Sequence, residues 1–226
     1  MISGTIPSMR LPAVMLLAVL LAACMGPDGS ERVNGSVEVA AGQPPADAST
    51  VNGGIRIAPG AAVKAATTVN GSISIGERAS AESATTVNGA IKVGEGARVA
   101  GDVTTVNGAV TLGRGADVGG ELHNVNGAFT LEGAHVGRGI RTVGGDITVG
   151  SGSRVEGGIT YEPTSGFSIS FGKHVPRIVI GPDAVVQGPL KFAREVQLYV
   201  SDRAQVGEVS GATPMPFSGD QPPAER

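Results

Sequence analysis

The tripeptide Val-Asn-Gly occurs six times at a nearly fixed interval, and this periodicity limits what the chain can become more than any other feature. The copies are Val33-Asn34-Gly35, Val51-Asn52-Gly53, Val69-Asn70-Gly71, Val87-Asn88-Gly89, Val106-Asn107-Gly108 and Val125-Asn126-Gly127. A seventh, Val143-Gly144-Gly145, has lost its Asn. From Asn to Asn the steps are 18, 18, 18, 19 and 19 residues, with 18 more to Gly144. A unit this short cannot bury its own apolar face, so each repeat is expected to be one coil stacked on the last.

Within a coil the apolar residues come in pairs two apart. After Asn88 they fall at Ile91, Val93, Ala97, Val99 and Val103, with Val106 next. After Asn107 they fall at Val110, Leu112, Ala116, Val118, Leu122 and Val125. A spacing of two is a strand with one buried face, and a break about every six residues is a corner. Three short strands and three corners per coil predict an all-β fold, a single-stranded, three-sided parallel β-helix of about 18 residues per coil. Glycines sit where the corners should be: after each Asn, at Gly76, Gly94, Gly113 and Gly150, and at Gly101, Gly119 and Gly157. Asn and Gly both tolerate positive φ, which suits them to the first corner. The nineteenth residue of the longer coils is expected near the third corner. Right-handed crossovers are the rule for parallel strands, so the coil is read as right-handed by default, with its hand left open.

Stacking places Asn34, Asn52, Asn70, Asn88, Asn107 and Asn126 in one file, about 4.8 Å apart. Each amide can donate to one neighbour and accept from the other, a structural ladder rather than a binding strip. Thr50, Thr68, Thr86, Thr105 and Thr142 form a second file just before the Val, read here as part of a solvated outer face. The coil pattern lapses after Tyr161, and residues 162–177 are read as an excursion from the solenoid. It resumes at Ile178 and Ile180, and again at Leu198 and Val200, so the β-helix spans residues 33–211. Roughly nine coils would make a rod about 43 Å long.

The two ends differ from this middle. Arg10 followed by the apolar stretch from Leu11 to Leu21 reads as a signal peptide, residues 1–23, too short to remain as a membrane span. It closes on Leu21-Ala22-Ala23-Cys24, which resembles the bacterial lipobox, and Cys24 is the one Cys of the chain. The resemblance implies cleavage before Cys24, a lipid on its sulfur and an acylated new N-terminus. At about 0.8 kcal/mol per buried methylene, several acyl chains would hold the protein on a membrane. Met25 is not the Asp that in such proteins marks inner-membrane retention, which implies an outer-membrane lipoprotein, periplasmic or surface-facing. Residues 24–32 would be a tether. The Pro-rich residues 212–226 lack periodicity and are read as a disordered tail. A net charge of −3 with both signs interspersed gives no sign of a nucleic-acid partner.

Units such as Ile75-Gly76-Glu77-Arg78-Ala79-Ser80 and Val93-Gly94-Glu95-Gly96-Ala97-Arg98 resemble the hexapeptide repeat of left-handed β-helix acyltransferases. The stretch from Gly96 to Val103 resembles the Gly-rich repeats of bactofilins, bacterial proteins that polymerise through a three-sided β-helix. The bactofilin resemblance implies a scaffold able to self-associate at its β-helix ends.

No arrangement in the sequence points to catalysis, a cofactor or a metal. His123 and His135 fall on outward positions of different faces, and His174 lies in the excursion; none has a fixed Asp or Glu partner visible in sequence. The outward column Glu38, Arg56, Ser74, Lys92, Thr111, Thr130, Thr148 mixes signs, as a solvated face does. The expectation is therefore a non-enzymatic envelope lipoprotein with a structural, scaffold or interaction role, its protein or glycan partner unspecified. The alternative is an envelope enzyme or binding module acting on glycans or acyl groups through residues 162–177, using Lys173, His174 and Arg177.

Overall fold

The computed structural model describes residues 29–163 and 175–223. The described residues form parallel strands and no helix, wound into a solenoid of about nine turns. One side of the coil, face A, is a ten-stranded parallel sheet that begins with Val37–Val39 and Ile55–Ile57 and ends with Gln197–Ser201 and Pro214–Phe217. Its register follows the repeat: Ile55 pairs with Ile73, Ile73 with Ile91, Ile91 with Val110, and Val110 with Phe129. The frame is kept on both sides of residues 164–174, which lie outside the described residues, because Ile147 pairs with Ile178.

The other two sides, faces B and C, share a sixteen-stranded sheet. In the early coils they are not separated at all. The nine-residue strands Ala62–Asn70 and Ser80–Asn88 run through the third corner without a break. In the next coil the extra residue splits this path into Arg98–Val99 on face B and Val103–Asn107 on face C. The nineteenth residue is thus absorbed at the third corner. The coil from Asn126 regains a length of 18 differently: Leu131 and Ala134 are three residues apart where Leu112 and Ala116 are four. One period therefore conceals an insertion at one corner and a deletion at another.

Alternation decides which side chains fill the interior. Ile91, Val93, Ala97, Val99 and Val103 are all buried, while Lys92 and Arg98 between them are exposed. Full burial of a side chain such as Ile91 contributes roughly 1.5–3 kcal/mol, so every coil adds several such increments. Aromatic residues enter late and sparingly: Phe129 replaces an aliphatic in the file of Val110, and Tyr161 and Phe192 follow Thr142 in the Thr file. The column from Glu38 to Thr148 faces outward on face A in the expected register.

The second corner is a repeated β-turn whose fourth residue donates its N–H to the first residue's carbonyl. This occurs from Ala61 to Ala58, Ala79 to Gly76, Ala97 to Gly94, Ala116 to Gly113 and Ala184 to Gly181. The third residue of these turns has positive φ, +70° at Gly60, +62° at Gly96 and +67° at Gly115, as a type II turn requires. Pro59 and Pro182 occupy the second position, where their fixed φ fits. Arg78 and Asp183 take the left-handed conformation in their own coils at φ 54° and 58°.

One expectation fails at the C-terminus. Residues 212–226 read as disordered, yet Pro214–Phe217 is a strand in register with face A, Leu198 opposite Pro214 and Ser201 opposite Phe217. Proline density suggests disorder only when nothing offers a pairing edge. Here the last coil offers one, and a strand at a sheet edge tolerates Pro.

Candidate functional site

The proposed anchor, Cys24, lies outside the described residues, as do the signal peptide and most of the tether. Residues 29–32, expected as tether, instead belong to the solenoid: the first strand, Gly29–Asn34, pairs with Asp47–Asn52 and starts five residues after Cys24.

The Asn file is built as hydrogen bonds between successive coils. The amide of Asn52 donates to Asn34 Oδ1 at 3.1 Å, and those of Asn70, Asn88 and Asn107 donate to the preceding Asn at 3.0 Å each. Asn126 pairs by backbone with Asn107 and bridges to Gly144. The Gly after each Asn is required chiefly for closeness. A Cβ on Gly71, Gly89 or Gly108 would lie 1.9–2.1 Å from the carbonyl oxygen of the preceding coil's Gly, and none of the three has positive φ.

The Thr file is inward, not solvated. Thr50, Thr68, Thr86, Thr105 and Thr142 are buried, with relative exposures of 0–1%. Each of the first four donates Oγ1–H to the Gly carbonyl of the coil before it: Thr50 to Gly35, Thr68 to Gly53, Thr86 to Gly71 and Thr105 to Gly89, at 2.9–3.1 Å. The file continues with other chemistry. Asn124 donates to Gly127 O at 2.8 Å, Thr142 donates to Asn124, and the Tyr161 hydroxyl donates to Gly145 O. Burial pushes the Tyr161 hydroxyl pKa well up, so it remains a donor. Consequently the Val of Val-Asn-Gly points outward: Val33 is 69% exposed and its successors are half-buried. The physical reason is a buried carbonyl that needs a donor, which Val could not supply.

Stacking gives both described histidines partners that lie one coil away. On face B, His135 is in register with Asp117, and Asp117 with Arg98. His135 Nδ1 lies 2.7 Å from Asp117, its Nε2 3.3 Å from Glu156, and Arg98 contacts Asp117 at 2.8 Å. The hydrogen bond with Asp117 raises the His135 pKa, and Glu156 adds to it. On face C, Arg141 lies 3.2 Å from Glu121 and 3.7 Å from Glu162, and His123 stacks between Thr104 and Arg141. Burial pushes the His123 pKa down despite the nearby Glu121. The signal for both clusters was in the sequence, at an offset of 18 to 21 residues.

The chemistry open to these groups differs. His135 has a carboxylate on each ring nitrogen, an arrangement that stabilises imidazolium and orders the face. His123 is half-buried in register with Arg141, which bridges two carboxylates, and burial disfavours its charged form. Of the excursion residues singled out, Lys173 and His174 lie outside the described residues. Arg177 opens a face A strand instead. Its N–H donates to Asp146 Oδ1 at 2.9 Å, its guanidinium lies 4.9 Å from the Tyr199 ring centroid, and it donates to Pro223 O at 2.8 Å. Where the charged file of face B ends, Arg154, Val185, Gln187 and Gln205 border an open depression of about 500 Å³. The chain matches no described protein family, no curated protein and no solved structure.

Proposed function

We propose that this chain is a non-enzymatic lipoprotein of the bacterial cell envelope, a β-helical post anchored in the outer membrane through lipid on Cys24. The observation that carries the reading is the short distance between the lipobox and the solenoid. Gly29 is five steps along the chain from Cys24, a reach of at most about 18 Å. A lipid there would hold the first coil at the membrane surface and direct the last coil, about 43 Å along the stack, away from it. The outward charges support a structural role, because Arg98, Asp117, His135 and Glu156, like Glu121, Arg141 and Glu162, are engaged with one another.

Replacing Cys24 by Ser tests this directly. The variant should move from the membrane to the soluble fraction and lose incorporation of labelled fatty acid. Unchanged membrane retention would overturn the anchor.

A second reading gives residues 162–177 a binding or catalytic role toward glycans or acyl groups. What favours it is Glu162, which begins that segment and lies 3.7 Å from Arg141, the register neighbour of His123. Joint replacement of Lys173, His174 and Arg177 should abolish any such activity; an activity that survives removes this reading.

A further inference from the structure

We infer that the strand Pro214–Phe217 is a cap that closes the C-terminal end of the solenoid against strand addition by a second copy of the chain. A stacked parallel coil ends in a row of unpaired N–H and C=O groups, a template for the edge of another molecule. At this end face A keeps outward carbonyls but loses the donors of that template. The terminal strand pairs with Gln197–Ser201, and Phe217 O accepts from Asp202 N at 3.0 Å. Strand alternation therefore turns the backbone groups of Met215 and Phe217 toward the solenoid and those of Pro214 and Pro216 away from it. The two residues whose N–H would face outward along the rod are the two that have none.

The prolines also fall where the core needs covering. The inward file Ile147, Ile178, Leu198 ends opposite Pro214, and the file Val149, Ile180, Val200 ends opposite Pro216. Among the described strands this is the one that contains proline. The strands that end the other two faces, Gln205–Val206 and Val209–Ser210, are two residues long and so offer less edge than the four residues of Pro214–Phe217. The contrast is the N-terminal end, where Gly29–Asn34 presents six residues without proline. The device holds whether or not Cys24 carries a lipid.

The test is the full chain purified in detergent, compared with P214T/P216T, which restores two outward donors and adds β-branched residues. Sedimentation over a range of concentrations is the readout, with circular dichroism to confirm the β signal. The double variant should show concentration-dependent growth beyond wild type. Its mass should rise about two-fold if C-terminal ends join each other, and without limit if they join N-terminal ends. A double variant that keeps the wild-type mass at every concentration, with its β signal intact, overturns the inference. A chain ending at Gly211 supplies the comparison without the altered strand. It bares Gln197–Ser201 and should also associate beyond wild type; a species of wild-type oligomeric state would overturn the inference equally.

Discussion

Replacing Gly108 by Ala should be among the most damaging single-methyl changes this fold can suffer. The added Cβ would lie 2.0 Å from Gly89 O and 2.5 Å from Gly89 C, both backbone atoms of the coil below. Gly108 does not have positive φ, so its cost is steric and not conformational. Relieving the clash to 3.0 Å requires the two coils to part by about 1 Å, against a normal spacing of about 4.8 Å. That displacement stretches Gly89 N to Asn107 O at 3.0 Å, Ile91 N to Ala109 O at 2.9 Å and Thr105 Oγ1 to Gly89 O at 3.1 Å. At about 1 kcal/mol for each weakened bond, plus about 1 kcal/mol of overpacking, the cost is about 3–4 kcal/mol. Gly152 is the control. It has φ +67° and nothing within 4 Å of a built Cβ, so Gly152→Ala pays only for left-handed backbone, about 1 kcal/mol. Guanidinium unfolding of both variants, followed by circular dichroism, measures the difference. If Gly152→Ala proves as damaging as Gly108→Ala, close stacking is not what selects Gly after Asn.

Thr86→Val keeps shape but removes the donor to Gly71 O, and should cost about 1–3 kcal/mol in the same unfolding experiment, while Thr86→Ser should cost less. Arg78→Gly should stabilise by about 1 kcal/mol, seen as a higher unfolding midpoint, because Arg78 holds a left-handed φ of 54° that glycine adopts freely. His135 makes stability depend on pH. Its folded pKa is raised above the ordinary value near 6.5, so its contribution is full below that pH and is lost as pH rises through the folded pKa. The unfolding midpoint of wild type relative to His135→Gln should therefore fall from acidic to mildly alkaline pH; a constant difference would show that the Asp117 and Glu156 contacts carry no charge-dependent energy.

The parts of the fold legible in the sequence are those set by local periodicity. Pairs of apolar residues two apart gave the strands, and Gly-rich breaks gave the corners. Stacked Asn residues at 18 or 19 positions pointed to the amide file that hydrogen bonds now describe from Asn34 to Asn107. The Thr file was misread because adjacent residues look alike in sequence. Thr67 and Thr68 differ only in which way the strand turns them, and a buried Gly carbonyl decides the matter by requiring Thr68 as a donor. The tail was misread because composition says what a segment lacks, not what edge it will meet.

Sequence by itself determined the architecture: a period of 18 or 19 residues with two-residue alternation admits a three-sided parallel coil and little else. It also supplied the resemblance of Leu21-Ala22-Ala23-Cys24 to a lipobox, on which the membrane proposal rests. Tertiary structure alone decided which groups meet, since partners one coil apart are distant in sequence yet only about 4.8 Å apart in space. Asp117 and Glu156 reach His135 only across a coil, and Glu121 and Glu162 reach Arg141 in the same way. The direction of the last strand's hydrogen bonds was likewise invisible until paired. That direction makes Pro214 and Pro216, read as signs of disorder, the donor-free edge of the proposed cap, because an imide nitrogen has no N–H to give another chain.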